Sequence, residues 1–184
     1  MKNIILAGLF TLTVGCGPAI EKEDFIGAWT YYSGISTDIC SNGQTQVRSA
    51  AGATIAYEQK GDLIRAYGIN DTNVGELIFG DDGFYYKLNK NKLVAEGPQS
   101  QCWRIYNGNY PYECLTQEEA TFSMEYSNVK REGAEDVEEL VITMAGSGHH
   151  EGLLSNDTRD VGLSCDYTIE GKLLFNPIAT NLLD

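Results

Sequence analysis

Two adjacent histidines followed by a glutamate, His149-His150-Glu151, form the only histidine cluster in the sequence. Imidazole and carboxylate groups together can hold a metal ion or transfer protons. Adjacent residues of a strand point to opposite faces, however, and the H-E-x-x-H spacing of zinc proteases is absent. We therefore predict a solvated loop after Gly146-Ser147-Gly148 and no metal site.

Other polar motifs also fall short of a known catalytic or metal-binding pattern. Ser147 does not lie in a G-x-S-x-G turn between a strand and a helix, so we predict a flexible turn there. Residues 80–83 (Gly-Asp-Asp-Gly) and 156–160 (Asn-Asp-Thr-Arg-Asp) gather oxygen ligands, but neither has the spacing and terminal glutamate of a calcium loop. The sequence predicts hairpin turns at both places, no cofactor and no enzymatic activity.

An aromatic group between Cys102 and Cys114 is the best candidate for recognition of a ligand or partner. It comprises Trp103, Tyr106, Tyr110 and Tyr112. Tyrosine-rich loops favour recognition because tyrosine offers a large contact area at a small cost in conformational entropy. The alternative is that Trp103 belongs to the core and the tyrosines cover the base of the loop.

The first sixteen residues have the layout of a bacterial export leader. Lys2 supplies a positive charge, residues 4–14 form an apolar run too short to span a bilayer, and Cys16 ends the run. Residues 12–16, Leu-Thr-Val-Gly-Cys, resemble the lipobox of bacterial lipoproteins, although Thr13 stands where that family prefers an aliphatic residue. The resemblance implies cleavage before Cys16 and acylation of that residue.

This resemblance divides the chain into a signal peptide (1–15), a lipidated tether (16–24) and a single domain (25–184). Two or more acyl chains give stable anchoring, so a membrane is an expected partner. Gly17 follows the cysteine; in Gram-negative lipoproteins an aspartate there marks retention in the inner membrane. We therefore expect an outer-membrane lipoprotein, periplasmic or surface-exposed.

If Cys16 is lipidated, an even number of cysteines is left, as expected for disulfides in an exported domain. These are Cys40, Cys102, Cys114 and Cys165. Three connectivities are possible. We favour Cys102 with Cys114, because the Gly, Asn and Pro residues between them suit a reversing loop, and this choice leaves Cys40 with Cys165. A zinc site is the alternative, but C-x-x-C spacing is absent.

The chain is strongly acidic, with 26 acidic against 13 basic residues and a net charge of −13. Such a chain should repel nucleic-acid phosphates and anionic headgroups, so we expect no nucleic-acid partner. The charge is typical of a protein kept soluble in an outer compartment.

The elements that must position these residues are mainly strands. Apolar and polar residues alternate with a period of two within residues 63–69, 84–89, 121–126, 140–144 and 166–170. Gly with Asp or Asn separates these runs, as in tight hairpins. Twenty glycines and little helical periodicity predict an antiparallel barrel or sandwich. We predict a loop for the charged residues 129–139.

Gly27-Ala28-Trp29 resembles the Gly-x-Trp opening of lipocalin-like domains. The resemblance implies an all-β fold with a single antiparallel up-and-down barrel of about eight strands. The glycine would permit close packing, and Trp29, also a candidate ligand contact, would close one end. The arginine that packs over this tryptophan in the family has no clear match, Lys172 being nearest. Pairing of the first and last strands would make a Cys40–Cys165 bridge geometrically reasonable.

Two functions follow from these patterns. The first is a membrane-anchored, non-catalytic binding module that holds a small apolar ligand inside the barrel. The second is a surface lipoprotein, such as an adhesin or an inhibitor, that contacts another protein and has no ligand cavity.

Overall fold

The computed structural model describes residues 19–69, 83–103, 113–130, 135–153, 163–181 and 183, with the backbone alone at 102, 103, 113, 152 and 153. Within these residues lie ten strands and two short helices. The strands are β1 (Gly27–Cys40), β2 (Thr45–Ser49), β3 (Thr54–Lys60), β4 (Leu63–Ile69), β5 (Phe84–Asn89), β6 (Lys92–Ala95), β7 (Gln99–Trp103), β8 (Glu113–Val129), β9 (Val137–Leu153) and β10 (Leu163–Phe175). The helices are α1 (Lys22–Phe25) and α2 (Pro177–Thr180).

All strand pairs are antiparallel, and the sheet closes because β10 pairs with β1. The order around the barrel is β1, β3, β4, β5, β6, β8, β9 and β10. The two further strands extend existing positions: β2 continues the side of β1 that β3 begins, and β7 continues the side of β8 that β6 begins. The predicted all-β, eight-stranded, lipocalin-like barrel is confirmed.

One end of the barrel is closed around Trp29, which is 1% exposed. Its indole Nε1 donates a hydrogen bond to the Phe25 carbonyl oxygen at 2.9 Å, and its ring meets Phe175 edge-on. Gly27 has φ of +121°, and a Cβ there would lie 2.8 Å from the Phe175 ring. Lys172, the nearest match to the family's arginine, is exposed, so an aromatic ring packs against this tryptophan instead.

Two strands change which of their residues face the interior. In β1 the register shifts between Tyr31 and Ser33. Before the shift an odd-numbered residue, Tyr31, faces the interior, and after it an even-numbered residue, Asp38, does so. In β8 the shift lies between Gln117 and Glu119. An extra residue in one strand has this effect because side chains alternate strictly along a pleated strand.

The prediction of a solvated loop and a flexible turn near the histidines is wrong. Residues 146–151 lie within β9, which runs continuously from Val137 to Leu153. The glycines that resembled a turn are needed for space: a Cβ at Gly148 would collide with the Thr116 carbonyl oxygen and lie 2.6 Å from the Tyr167 ring. The predicted loop at 129–139 is also too long, because Val129 and Val137 pair within the β8–β9 ladder.

Candidate ligand-binding cavity

The barrel encloses a cavity of about 520 Å³, which we call the barrel cavity. Much of its lining is apolar, including Ala66, Phe84, Leu115, Phe122, Met144 and Ile169. Edge-to-face contacts join the rings of Tyr57, Phe122 and Tyr86, with centroids 5.6 and 5.0 Å apart. Such an interior is typical of a site for a small ligand with an apolar body.

Strand register brings distant residues into rings around this cavity. Asp38 of β1 is opposite Tyr167 of β10, which is opposite Gly148 of β9, which in turn is opposite Gln117 of β8. Because Gly148 has no side chain, the ring of Tyr167 can lie across β9. The adjacent ring contains Leu115, His150 and the two disulfide-bonded cysteines, Cys165 and Cys40.

An ion pair with a buried carboxylate lies on one wall of the cavity. Asp38 is 1% exposed, and its Oδ2 accepts a hydrogen bond from Arg48 Nε at 3.0 Å and a second from Arg48 Nη2. The Arg48 side chain is 50% exposed. The carboxylate therefore lies inside the barrel, while its compensating charge lies at the edge of the cavity.

Phenol groups make the second polar feature. Tyr86 donates its hydroxyl proton to Gln117 Oε1, and Tyr31 donates to the Met144 sulfur at 2.7 Å. Burial raises the pKa of Tyr31, Tyr86 and Tyr167 well above the usual value, so all three hydroxyls stay protonated at neutral pH.

His150 is a further titratable group in the lining. Burial lowers the pKa of its imidazole from 6.5 to about 4, an effect only partly opposed by Asp38. Its ring meets Tyr167 edge-on, with the centroids 4.7 Å apart. The buried Nδ1 has no hydrogen-bond partner among the described residues. His150 is thus neutral at pH 7, lines the cavity and has one buried ring nitrogen without a partner among the described residues.

His149, on the opposite face of the strand, has a different environment. Its Nδ1 lies 2.8 Å from an Asp166 carboxylate oxygen, and Glu151 is a weaker neighbour at 3.9 Å. The part of the chain that the structure describes contains no group of three or more His, Cys, Asp or Glu side chains suited to a metal ion. The two histidines point apart, as the alternation of a strand requires.

The predicted disulfides have different outcomes. Cys40 and Cys165 form a disulfide between β1 and β10, which confirms that pairing. Cys102 lies directly opposite Cys114 in the β7–β8 register, and Cys114 is disulfide-bonded. The register thus has the placement that the predicted Cys102–Cys114 bridge needs.

The predicted binding residues do not gather at the cavity. Trp29 lies in the closed end and is not among the cavity-lining residues. Trp103 ends β7, where the structure describes its backbone alone. Outside the described residues lie Tyr106, Tyr110, Tyr112, the predicted lipidation site Cys16, and the turns predicted at 80–82 and 156–160.

The cavity's own polar residues were missed by the sequence analysis. Asp38 and Arg48 lie on adjacent strands, and Gln117 lies just before a bulge. One signal was present: Asp38 is two residues before Cys40, so a disulfide on the inner face of β1 places this aspartate on the same face.

Comparisons with known proteins identify no relative: no family model, no curated protein and no solved structure matches the chain. Among the described residues, none of the helices has the length and apolar character needed to cross a bilayer.

Proposed function

We propose that this protein is a membrane-anchored, non-catalytic binding module that holds a small molecule with an apolar body in the barrel cavity. The observation that carries the proposal is the cavity itself. Its volume of about 520 Å³ falls within the range of small-molecule sites, and a few polar groups converge on an otherwise apolar lining. The anchor part of the proposal rests on the lipobox-like residues that end at Cys16.

The interior is better suited to binding than to chemistry. Buried polar groups in the cavity are mostly paired with one another: Asp38 with Arg48, and Tyr86 with Gln117. Groups committed in this way orient a ligand, whereas nucleophilic catalysis needs a nucleophile and a base in mutual contact. Protonated phenols and a neutral imidazole also favour a ligand with hydrogen-bonding rather than reactive groups.

The test introduces a large side chain into the cavity from strand β1. Ser36 faces the barrel cavity, and its neighbour Ile35 points outward with 52% exposure. Ser36→Trp should reduce the affinity for an uncharged, apolar fluorescent probe such as N-phenyl-1-naphthylamine at least tenfold. Ile35→Trp is the matched control and should bind like the unmodified protein. Equal binding by both variants, measured by fluorescence titration, would reject the cavity as the site.

The alternative function is a surface protein that contacts another protein. The tyrosine loop that suggested it lies outside the described residues, but a different feature favours it. Ile35, Ile39 and Val47 are all more than half exposed on the outer face of β1 and β2. Three exposed apolar side chains are common on protein surfaces, so the cavity is the better supported site.

A further inference from the structure

The charges that line the barrel cavity are balanced. Among its described lining residues, Asp38 and Arg48 are the only carboxylate and the only guanidinium or ammonium group, and they form an ion pair. The remaining polar side chains are hydroxyls, an amide, phenols and one imidazole. A ligand that brings a charge into this interior would lose its hydration without gaining an uncompensated counter-charge.

Three polar side chains of the lining indicate which hydrogen bonds the cavity can offer to a ligand. Tyr31 and Tyr86 each donate their single proton within the protein, so their oxygens can offer only lone pairs to a ligand. His150 Nδ1 is buried without a partner among the described residues. A neutral imidazole nitrogen either accepts or donates according to its tautomer, and a hydroxyl group matches both forms.

We propose that the ligand is an uncharged amphiphile, an apolar chain or ring system that carries a hydroxyl group, and that this hydroxyl binds beside His150 and Tyr167. This inference rests on the proposed function, because it names the class of molecule that the same cavity takes. The apolar part lies against Phe84, Phe122 and Met144, which line the same cavity. A carboxylate at this depth would meet the buried Asp38, and an ammonium group would have to displace Arg48 from that aspartate.

The test compares three probes that share one alkyl chain and differ only in the headgroup: 1-dodecanol, dodecanoate and dodecylammonium. Titration calorimetry or native mass spectrometry of the purified protein at pH 7 should show dodecanol bound at least tenfold more tightly than either charged probe. Tighter binding of dodecanoate or dodecylammonium would overturn the inference and leave the proposed function standing. Failure of all three probes to bind would count against the proposed function itself.

Two variants separate the headgroup site from simple apolar binding. His150→Phe keeps an aromatic ring beside Tyr167 and removes both ring nitrogens, so it should weaken dodecanol about tenfold but leave dodecane unchanged. His149→Phe, on the outer face, is the matched control and should change neither affinity. If His150→Phe binds dodecanol as the unmodified protein does, the hydroxyl site is refuted.

The ion pair gives an independent check of the charge argument. Asp38→Asn leaves Arg48 without its counter-charge and should raise the affinity for dodecanoate relative to dodecanol. Arg48→Gln leaves the buried carboxylate and should shift the preference towards dodecylammonium. If both variants keep the original headgroup ranking, charge balance does not set the selectivity. Circular dichroism of each variant confirms that the barrel is retained.

Discussion

His150 shows how a single side chain in the cavity couples stability to pH. The folded protein holds its pKa at about 4, below the value of 6.5 in the unfolded chain, because the ring is largely removed from water. Between these two pH values the unfolded chain binds a proton that the folded chain does not. Stability contributed by the neutral ring is therefore present above pH 6.5 and is lost as the pH falls towards 4.

Replacing His150 should accordingly flatten this pH dependence. Between pH 7 and pH 4.5, the unfolding free energy of His150→Phe should fall by roughly 1–2 kcal/mol less than that of the unmodified protein. The charged or titratable neighbours of the ring, namely Asp38, Arg48, His149 and Tyr167, are unchanged in this variant. Urea unfolding at several pH values measures the effect. An identical slope in both proteins would show that His150 does not titrate in this window.

At the scale of elements, the β1–β10 pair determines whether the barrel is closed. Eleven paired positions join the two strands, and the Cys40–Cys165 disulfide lies at the last of them. The two cysteines are 125 residues apart in the chain, so the bridge restricts the unfolded ensemble strongly. Hydrogen bonds from Ala28 and Asn176 backbone amides hold the other end of the same seam.

Removing that bridge should lower stability without opening the barrel. The double variant Cys40→Ala, Cys165→Ala should lose about 2–5 kcal/mol of unfolding free energy, measured by urea denaturation. Far-ultraviolet circular dichroism should remain that of the folded protein because the eleven paired positions remain. A double variant as stable as the unmodified protein would show that the disulfide contributes little.

Strand periodicity was sufficient to predict the barrel, because most strands alternate regularly. Ile142 and Met144, for example, face the core as their spacing predicts. Bulges defeat the same reasoning: register shifts place Asp38 and Gln117 inward together with core residues of the other parity, and only Asp38, two residues before Cys40, had a local signal for its face. Gly146 and Gly148 were assigned to a turn because the need for space inside a barrel and the need for a turn both select glycine.

At the scale of the whole molecule, the predicted leader allows one further prediction. In a Gram-negative host, the full chain should be recovered in the membrane fraction and should incorporate labelled palmitate. Cys16→Ser should abolish the label and release the protein from membranes, whereas Cys114→Ser is a control that keeps the label. Palmitate incorporation that survives Cys16→Ser would refute lipidation at this residue.

The ladders around the barrel are unequal in length. Strands β8 and β9 share fifteen paired positions, whereas β5 and β6 share four and β6 and β8 share three. Amide protons along β6, which has a short ladder on each side, should consequently exchange with heavy water well before those in the β8–β9 ladder. If the barrel opens locally, the short ladders of β6 are therefore where it should part, well away from the disulfide-linked β1–β10 pair.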